Sequence, residues 1–185
     1  MTNAEPTTTE KITPGERTDL LEALAMHRYF LRNTTRDLTD EQARLRTTVS
    51  ELSLGGLIKH VTETETAWVN FILEGPNAML RNGKNRTEWD AEDWAEREAS
   101  FRLLPEETLV GVLENYEQVA HRTEEVVTAL PDLNVSHPLP EEPWFEPGAR
   151  WSARRALLQI IAEAAQHSGH ADIIREALDG AKSMG

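Results

Sequence analysis

The segment from residue 151 to residue 180 contains a carboxylate and two imidazoles at spacings that suit one face of an α-helix. At about 100° per residue, Glu163 and His170 both project within roughly 60° of His167. The rest of that stripe is small or apolar: Ile160, Ala164, Ala171 and Ile174. Ionisable side chains are rare on an apolar helix face, so this stripe is the first candidate for chemistry.

Glu163 and His167 are one helical turn apart, which places their Cβ atoms about 5–6 Å from each other on the same side. Two donors at that separation can bind one metal ion, each donor atom lying about 2.0–2.2 Å from it. The same spacing is also typical of a salt bridge within a helix. A histidine on an apolar face is likewise often a hydrogen-bonded core residue, so both interpretations are open.

A third candidate ligand, His60, lies on the apolar side of an earlier helix. It shares that face with Gly56, Leu57, Thr64, Ala67 and Phe71. The pair Gly55-Gly56 permits close approach by another backbone or a ligand, at a cost in helix stability. His60, Glu163 and His167 would form a two-histidine, one-carboxylate site between facing helices. Three protein ligands leave coordination positions open, which is typical of catalytic sites, but the sequence alone does not place the two helices together.

Four long amphipathic segments must position these residues. Apolar spacing, caps and stops predict a first helix from Glu16 to Leu38, a second capped by Ser53 and stopped at Gly75-Pro76, a third from Pro105 to Leu130, and a fourth capped by Ser152 and ending at Gly180. A short capped turn of helix is expected from Thr39 to Gln42.

The remaining segments are predicted as connections. Residues 77–104 mix turn residues with aromatic ones and suggest a long connection that contains a helical piece. Five prolines between 131 and 147 predict an irregular loop, and no segment shows the alternation of a strand. The fold class is therefore all-α: an up-down four-helix bundle with long connections. We expect one domain over residues 14–185, preceded by a disordered polar tail over residues 1–13.

Composition excludes several classes of function. The chain has 185 residues, a formal net charge of −13 and no cysteine, which rules out disulfides, thiolate metal sites and a cysteine nucleophile. The negative charge argues against nucleic acid as a partner. No apolar run reaches the roughly 20 residues of a membrane span, and the N-terminus lacks the pattern of a signal peptide. We therefore expect a soluble cytoplasmic protein with no membrane partner; a homodimer is compatible with its exposed helical faces.

Two smaller features allow competing interpretations. Trp144 and Phe145 could line the mouth of a pocket, although we expect them to cover one end of the core. Arg154 and Arg155 stand near the start of the last helix, where the helix dipole disfavours cations. One of them could face a substrate carboxylate, but a nearby glutamate is the expected partner.

Three blocks of the sequence resemble the DinB/YfiT-like four-helix metalloproteins, in that family's order. They are SLGGLIKHVTETETAW at residues 53–68, EEPWFEPG at 141–148 and WSARRALLQIIAEAAQHSGHADIIRE at 151–176. The Glu-x-x-x-His-x-x-His-Ala-Asp string beginning at Glu163 is the most specific of these features. The chain looks closest to the branch related to actinobacterial mycothiol-dependent enzymes, and the helical layout agrees over about residues 15–180.

The resemblance implies one divalent metal ion, held by the counterparts of His60, Glu163 and His167. Zinc is the first expectation, with nickel or iron as alternatives. Many relatives carry histidine where this chain has Glu163, whereas the mycothiol-dependent maleylpyruvate isomerases are similar in having glutamate. The counterpart of His170 would assist catalysis, beside the metal or orienting one of its ligands. The implied chemistry is that of an S-transferase or isomerase, in which the metal activates a small-molecule thiol, of which mycothiol is the candidate, toward an electrophilic substrate.

Three hypotheses follow from these patterns. An enzyme predicts an open coordination position that faces a pocket. A non-catalytic metal-binding or stress-response bundle predicts a closed site, with His170 as a fourth ligand and no adjacent cavity. A scaffold whose buried glutamate and histidines only form hydrogen bonds predicts no metal.

Overall fold

The computed structural model describes residues 15–183, so the predicted tail over residues 1–13 lies outside the described residues. The described residues form six helices: α1 (Glu16–Asn33), α2 (Asp40–Arg44), α3 (Leu54–Glu74), α4 (Ala91–Ala99), α5 (Leu109–Ala129) and α6 (Ala153–Asp179). Two short strands, β1 (Ser136–Pro138) and β2 (Arg150–Ser152), and two 3-10 turns, Pro76–Met79 and Arg86–Glu88, complete the elements. None of these helices is long and apolar enough to cross a membrane.

The four long helices α1, α3, α5 and α6 form the predicted four-helix bundle. Helix α6 packs against both α1 and α3, and α3 also packs against α5. Their apolar stripes meet in one buried cluster, which includes Leu31, Leu57, Tyr116 and Ile160. Most of the stabilisation of such helices comes from this burial rather than from helix propensity. The packing of α6 against α3 is what allows His60 to meet the stripe around His167.

A buried ion pair and a hydrogen bond to the same carboxylate join α1, α3 and α5 on another side of the core. Arg28 of α1 donates two hydrogen bonds to the Glu65 carboxylate of α3. The Thr123 hydroxyl of α5 donates to the same carboxylate at 2.5 Å. Since a buried charge is costly without partners, this network is how the bundle accommodates Glu65.

Side-chain caps begin the two helices that carry the candidate ligands, as the sequence predicts. The Ser53 hydroxyl accepts a hydrogen bond from the backbone N–H of Gly56, and that of Ser152 accepts from Arg155. These contacts satisfy backbone donors that have no partner within the first helical turn. Helix α6 ends at Gly180, whose φ of 79° is the left-handed conformation favoured for glycine after a helix.

Two predicted helix boundaries are wrong. Helix α1 ends at Asn33 rather than at Leu38. The Thr34 and Thr35 hydroxyls donate to carbonyl oxygens three residues earlier, and these hydrogen bonds stabilise a turn in place of a further turn of helix. Helix α5 begins after Thr108 rather than at Pro105. The preceding residues form a separate turn, in which the Glu107 carboxylate accepts from the backbone N–H of Leu104 at 2.7 Å.

The connections contain a pair of strands that the sequence pattern did not predict. Strands β1 and β2 pair antiparallel, with His137 opposite Trp151, so the proline-rich segment is not wholly irregular. Three-residue strands are too short to show the alternation by which a strand is recognised. The predicted helical piece of the 77–104 connection is confirmed as α4, which begins at a capping box formed by Asp90 and Asp93.

Candidate metal centre

The structure brings together the three residues that the sequence analysis proposes as metal ligands. His60 lies on α3, and Glu163 and His167 lie one turn apart on α6. Each offers one donor atom, and the three donor atoms lie within 4.8 Å of one another. The two helices are therefore packed in the arrangement that a shared metal ion would need.

The two imidazole rings meet edge to face. The ring centroids of His60 and His167 are 4.7 Å apart, with 89° between the ring planes. The Nδ1 atom of each ring is buried and has no hydrogen-bond partner among the described residues. Buried polar atoms in native structures almost always have a partner, so these two nitrogens fit a site that receives a bound ion or an ordered water.

The carboxylate of Glu163 is held by its own helix. Its Oε1 accepts a hydrogen bond from Gln159 Nε2 at 2.9 Å, and its Oε2 lies 3.5 Å from His167 Nε2. The Gln159 side chain in turn accepts a hydrogen bond from Arg155 at 3.2 Å. A line of side chains four residues apart thus orients the carboxylate toward the two histidines.

The surroundings of His60 and of Glu163 favour the protonation states that metal ligands need. Burial, with smaller contributions from nearby His167 and Arg97, lowers the pKa of His60 to about 4. The adjacent His167 lowers the pKa of Glu163, and the hydrogen bond from Gln159 acts in the same direction. At neutral pH the His60 ring is therefore neutral and the Glu163 carboxylate ionised, so neither must lose a proton to bind a cation.

The residue pair Gly55-Gly56 makes room for a neighbouring backbone, as the sequence analysis expected. A Cβ atom at Gly56 would lie only 1.9 Å from the carbonyl oxygen of Phe101, in the segment after α4. This close approach places the Phe101 ring against His60, with 4.7 Å between the ring centroids. Phe101 thereby covers one side of the cluster and keeps His60 out of water.

His170 lies beside the cluster without joining it. Its ring stacks on that of His167 with 6.4 Å between centroids, and its Nε2 is 2.9 Å from the Ser50 hydroxyl. The group of donor atoms within 4.8 Å contains His60, Glu163 and His167 but not His170. The arrangement is that of three converging donors with a third histidine fixed one turn away.

A cleft of about 820 Å³ opens beside the cluster, between α3, α5, the 78–97 connection and the loop around residue 142. Thr64, one helical turn beyond His60, is part of its wall. Arg97 is another part of the wall, and its guanidinium lies 4.1 Å from the centroid of the Phe101 ring that covers His60. Arg97 and Phe101 therefore separate the cleft from the donor cluster.

The expectations for the aromatic pair at residues 144 and 145 and for the arginine pair at 154 and 155 have different outcomes. Trp144 and Phe145 both line the cleft, while the expectation that they cover the core is confirmed for Phe145, which packs against it. Trp144 is 57% exposed and belongs to the cleft wall alone. The expected glutamate partner of Arg154 is confirmed: its guanidinium bonds the Glu16 carboxylate.

Comparison with known proteins identifies the family. The family model described as mycothiol-S-transferase matches residues 19–180. The chain belongs to the mycothiol-S-transferase family. A comparison with curated proteins gave no match.

Two solved structures share the fold of this mycothiol-S-transferase family member. A conserved protein from Enterococcus faecalis is 14% identical with a TM-score of 0.65, and the match covers 91% of this chain and 100% of that one. YfiT from Bacillus subtilis, described as a probable metal-dependent hydrolase with an unusual four-helix bundle topology, is also 14% identical. Its TM-score is 0.62, with 92% of this chain and 91% of that chain covered. At this identity the likeness shows the DinB/YfiT-like bundle fold.

Sequence reasoning missed several residues around the cluster of this family member. Gln159 could have been found, because it continues the four-residue spacing of Glu163 and His167 toward the start of α6. Arg155, which the sequence indicated only as a cation near the helix start, continues that spacing by one more turn and donates to Gln159. Phe101 and Arg97 could not have been found, since they approach His60 from another part of the chain through an irregular connection.

Proposed function

We propose that this chain is a metal-dependent enzyme that joins a small-molecule thiol to an electrophile, as an S-transferase or as a thiol-assisted isomerase. The observation that carries the proposal is the convergence of His60, Glu163 and His167 from two helices to within 4.8 Å. All three residues lie within the match to the mycothiol-S-transferase family over residues 19–180. That match supports a thiol as one of the substrates, with mycothiol as the candidate. The description of YfiT as a probable metal-dependent hydrolase supports a metal requirement.

His60, Glu163 and His167 would hold one divalent cation. Imidazole nitrogens suit zinc, nickel and iron, and zinc also accepts a carboxylate oxygen, so zinc is the first expectation, with nickel or iron as alternatives. When bound, such an ion supplies a positive charge that lowers the pKa of a coordinating thiol, so that thiolate forms at neutral pH. Three protein donors leave room for that thiol.

The residues of the chain have distinct parts in this scheme. Gln159 holds the Glu163 carboxylate in place, and Phe101 excludes water from one side of His60. His170, whose Nε2 is fixed by Ser50, would act as a positioning residue through the stacked ring of His167. In the transfer itself a carbon–sulfur bond forms, the bond to the leaving group of the electrophile breaks, and the thiol proton passes to solvent.

A non-catalytic metal-binding bundle is the alternative, and the composition of the donor group favours the enzyme. The group leaves out His170, whereas a closed structural site would use it as a fourth ligand. The cleft favours neither function, because Arg97 and Phe101 lie between it and the donors.

Elemental analysis of the purified protein tests the metal site. We expect about one equivalent of zinc, nickel or iron, which is lost in His60→Ala and in His167→Ala but kept in His121→Ala, an exposed histidine on α5. A parent protein that stays empty after incubation with each ion would exclude the proposal.

Activity is then measured with mycothiol and 1-chloro-2,4-dinitrobenzene, from which the sulfur displaces chloride. We expect turnover in the metal-loaded parent, none in His60→Ala, and reduced turnover at unchanged metal content in His170→Asn. A loaded protein that stays inactive with mycothiol and with other small thiols across several classes of electrophile would favour the non-catalytic bundle.

A further inference from the structure

The cleft beside the cluster is lined by cationic side chains, although the chain carries a net charge of −13. Its wall includes four arginines: Arg81, Arg86, Arg97 and Arg122. Arg81 forms ion pairs with Glu96 at 3.5 Å and Glu63 at 4.0 Å. The other three arginines form no salt bridge with any of residues 15–183. Three guanidinium groups without a salt bridge thus lie in one cleft of an acidic protein.

Three of these guanidinium groups lie close to aromatic rings. Arg86 lies 5.4 Å from the ring centroid of Trp89, 5.0 Å from that of Trp94 and 5.2 Å from that of Trp144. Arg97 lies 4.1 Å from the centroid of Phe101, and Arg81 lies 5.5 Å from that of Trp89. A guanidinium with such cation–π contacts can still form bidentate hydrogen bonds to a carboxylate.

No carboxylate of residues 15–183 forms an ion pair with Arg86 or Arg97, although Glu63 and Glu142 are also in the wall. Glu142 accepts a hydrogen bond from the backbone N–H of Arg86 at 3.4 Å. The Arg97 side chain donates to the Ser100 hydroxyl at 3.4 Å, a neutral acceptor. Burial lowers the pKa of Arg97, and the charge of nearby Glu63 offsets part of that effect.

The rest of the wall suits a flat ligand. Trp68, Trp89, Trp144 and Phe145 all contribute to it, and the Nε1 atom of Trp89 is buried with no partner among the described residues. Aromatic walls bind planar groups by stacking and by burial of apolar surface. A ligand with an anionic end and a planar body would meet the two kinds of group that the cleft provides.

We propose that Arg86 and Arg97 bind the carboxylate of a planar, conjugated ligand in this cleft, at a binding site apart from the donor cluster. Arg97 and Phe101 stand between the cleft and His60, so the ligand binds without contacting the candidate metal ligands. The ligand class is an aromatic or conjugated carboxylic acid.

Isothermal titration calorimetry at low ionic strength tests the cleft with trans-cinnamate and its neutral analogue cinnamamide. We expect the parent protein to bind cinnamate about tenfold more tightly than cinnamamide. The variants Arg86→Gln and Arg97→Gln should each weaken cinnamate binding about tenfold and leave cinnamamide binding within about twofold. Arg46→Gln is the matched control, because it removes the same charge from an exposed side chain that pairs with Glu51 outside the cleft.

Each titration is run on chelator-treated and on metal-loaded protein, and circular dichroism checks that each variant is folded. Arginine-dependent binding in both forms supports the inference, whatever elemental analysis says about the metal site. Equal binding of cinnamate and cinnamamide, or no effect of either arginine variant, would overturn it. Cinnamate binding that needs the metal but ignores the arginines would assign the carboxylate to the ion; that result overturns the inference and leaves the proposed function standing.

Discussion

At the scale of single residues, the orientation of Glu163 depends on a neighbour that is not a ligand. Gln159 donates to Glu163 Oε1, and Arg155 fixes which end of the Gln159 amide faces the carboxylate. A carboxylate that is already oriented loses less conformational entropy when it binds an ion. The hydrogen bond from Gln159 is therefore expected to contribute to metal affinity without contributing a donor.

The variant Gln159→Ala should lower zinc affinity about tenfold while zinc still binds at one equivalent. The measurement is a competition titration against a chromophoric chelator at neutral pH. Gln166→Ala is the matched control, since Gln166 is exposed on the same helix and should leave the affinity unchanged. Equal affinities for the two variants would show that the hydrogen bond to Glu163 has no part in metal binding.

A second residue-scale prediction concerns Gly56. The variant Gly56→Ala should lower the free energy of unfolding by about 1–3 kcal/mol, because the new methyl group meets the backbone carbonyl of Phe101. Gly169→Ala is the control: Gly169 lies in α6 with no atom within 4 Å of an added Cβ, and alanine there should stabilise by about 0.5–1 kcal/mol. Urea denaturation of the metal-free variants measures both, and a Gly56→Ala variant as stable as the parent would rule out the close approach.

At the scale of elements, α4 is tied to the connection before it by a small charge network. Lys84 contacts Asp93 at 2.6 Å and Asp90 at 2.7 Å, and Asn82 donates to Asp93 at 3.0 Å. These contacts, the Lys84 bond first, lower the pKa of Asp93 to about 2. Because α4 leads directly to Phe101 and carries Arg97, this network helps to set the position of the cleft wall.

The low pKa of Asp93 predicts how its contribution to stability depends on pH. The folded pKa lies below the unfolded value, so the stabilisation is fully present above about pH 4 and is lost as pH falls toward about 2. The stability difference between the parent and Asp93→Asn should therefore be largest near neutral pH and shrink over that window. Urea titrations at several pH values measure it, with the exposed Asp37→Asn as control; a difference that does not change with pH would contradict the assignment.

Local sequence patterns predicted the helices more accurately than the turns that connect them. Ser53 and Ser152 were recognisable as caps, because a hydroxyl before an apolar stripe has a local partner in the first helical turn. The end of α1 and the start of α5 were misplaced, since threonine hydroxyls and the Glu107 carboxylate form turns that compete with the helix. The spacing on α6 indicated Glu163 and His167, but which helix faces them is a property of the packed bundle. The sequence could therefore name His60 as a candidate ligand without placing it beside the other two.

At the scale of the whole molecule, charge is distributed unevenly. The chain has a net charge of −13, yet the cleft beside the candidate ligands carries four arginines and the donor cluster only one carboxylate. The wall also contains Glu63 and Glu142, so four positive charges face two negative ones. A cleft with a net positive charge and low-dielectric walls attracts anions, whereas the acidic surface elsewhere repels them, so the cleft is the favoured place for an anionic ligand to bind.

A metal ion shared by α3 and α6 would also cross-link the bundle, and its effect on stability can be measured for the whole molecule. Ligands that bind only the folded state raise the free energy of unfolding, by about 2.7 kcal/mol when the free ligand is at 100 times its dissociation constant. Saturating zinc should therefore raise the thermal midpoint of the chelator-treated parent by several degrees and leave that of His60→Ala unchanged. His121→Ala, with its histidine exposed on α5, should respond as the parent does. An equal rise in the parent and His60→Ala would mean that zinc stabilises the protein at some other place, because α3 would then contribute no ligand to the ion.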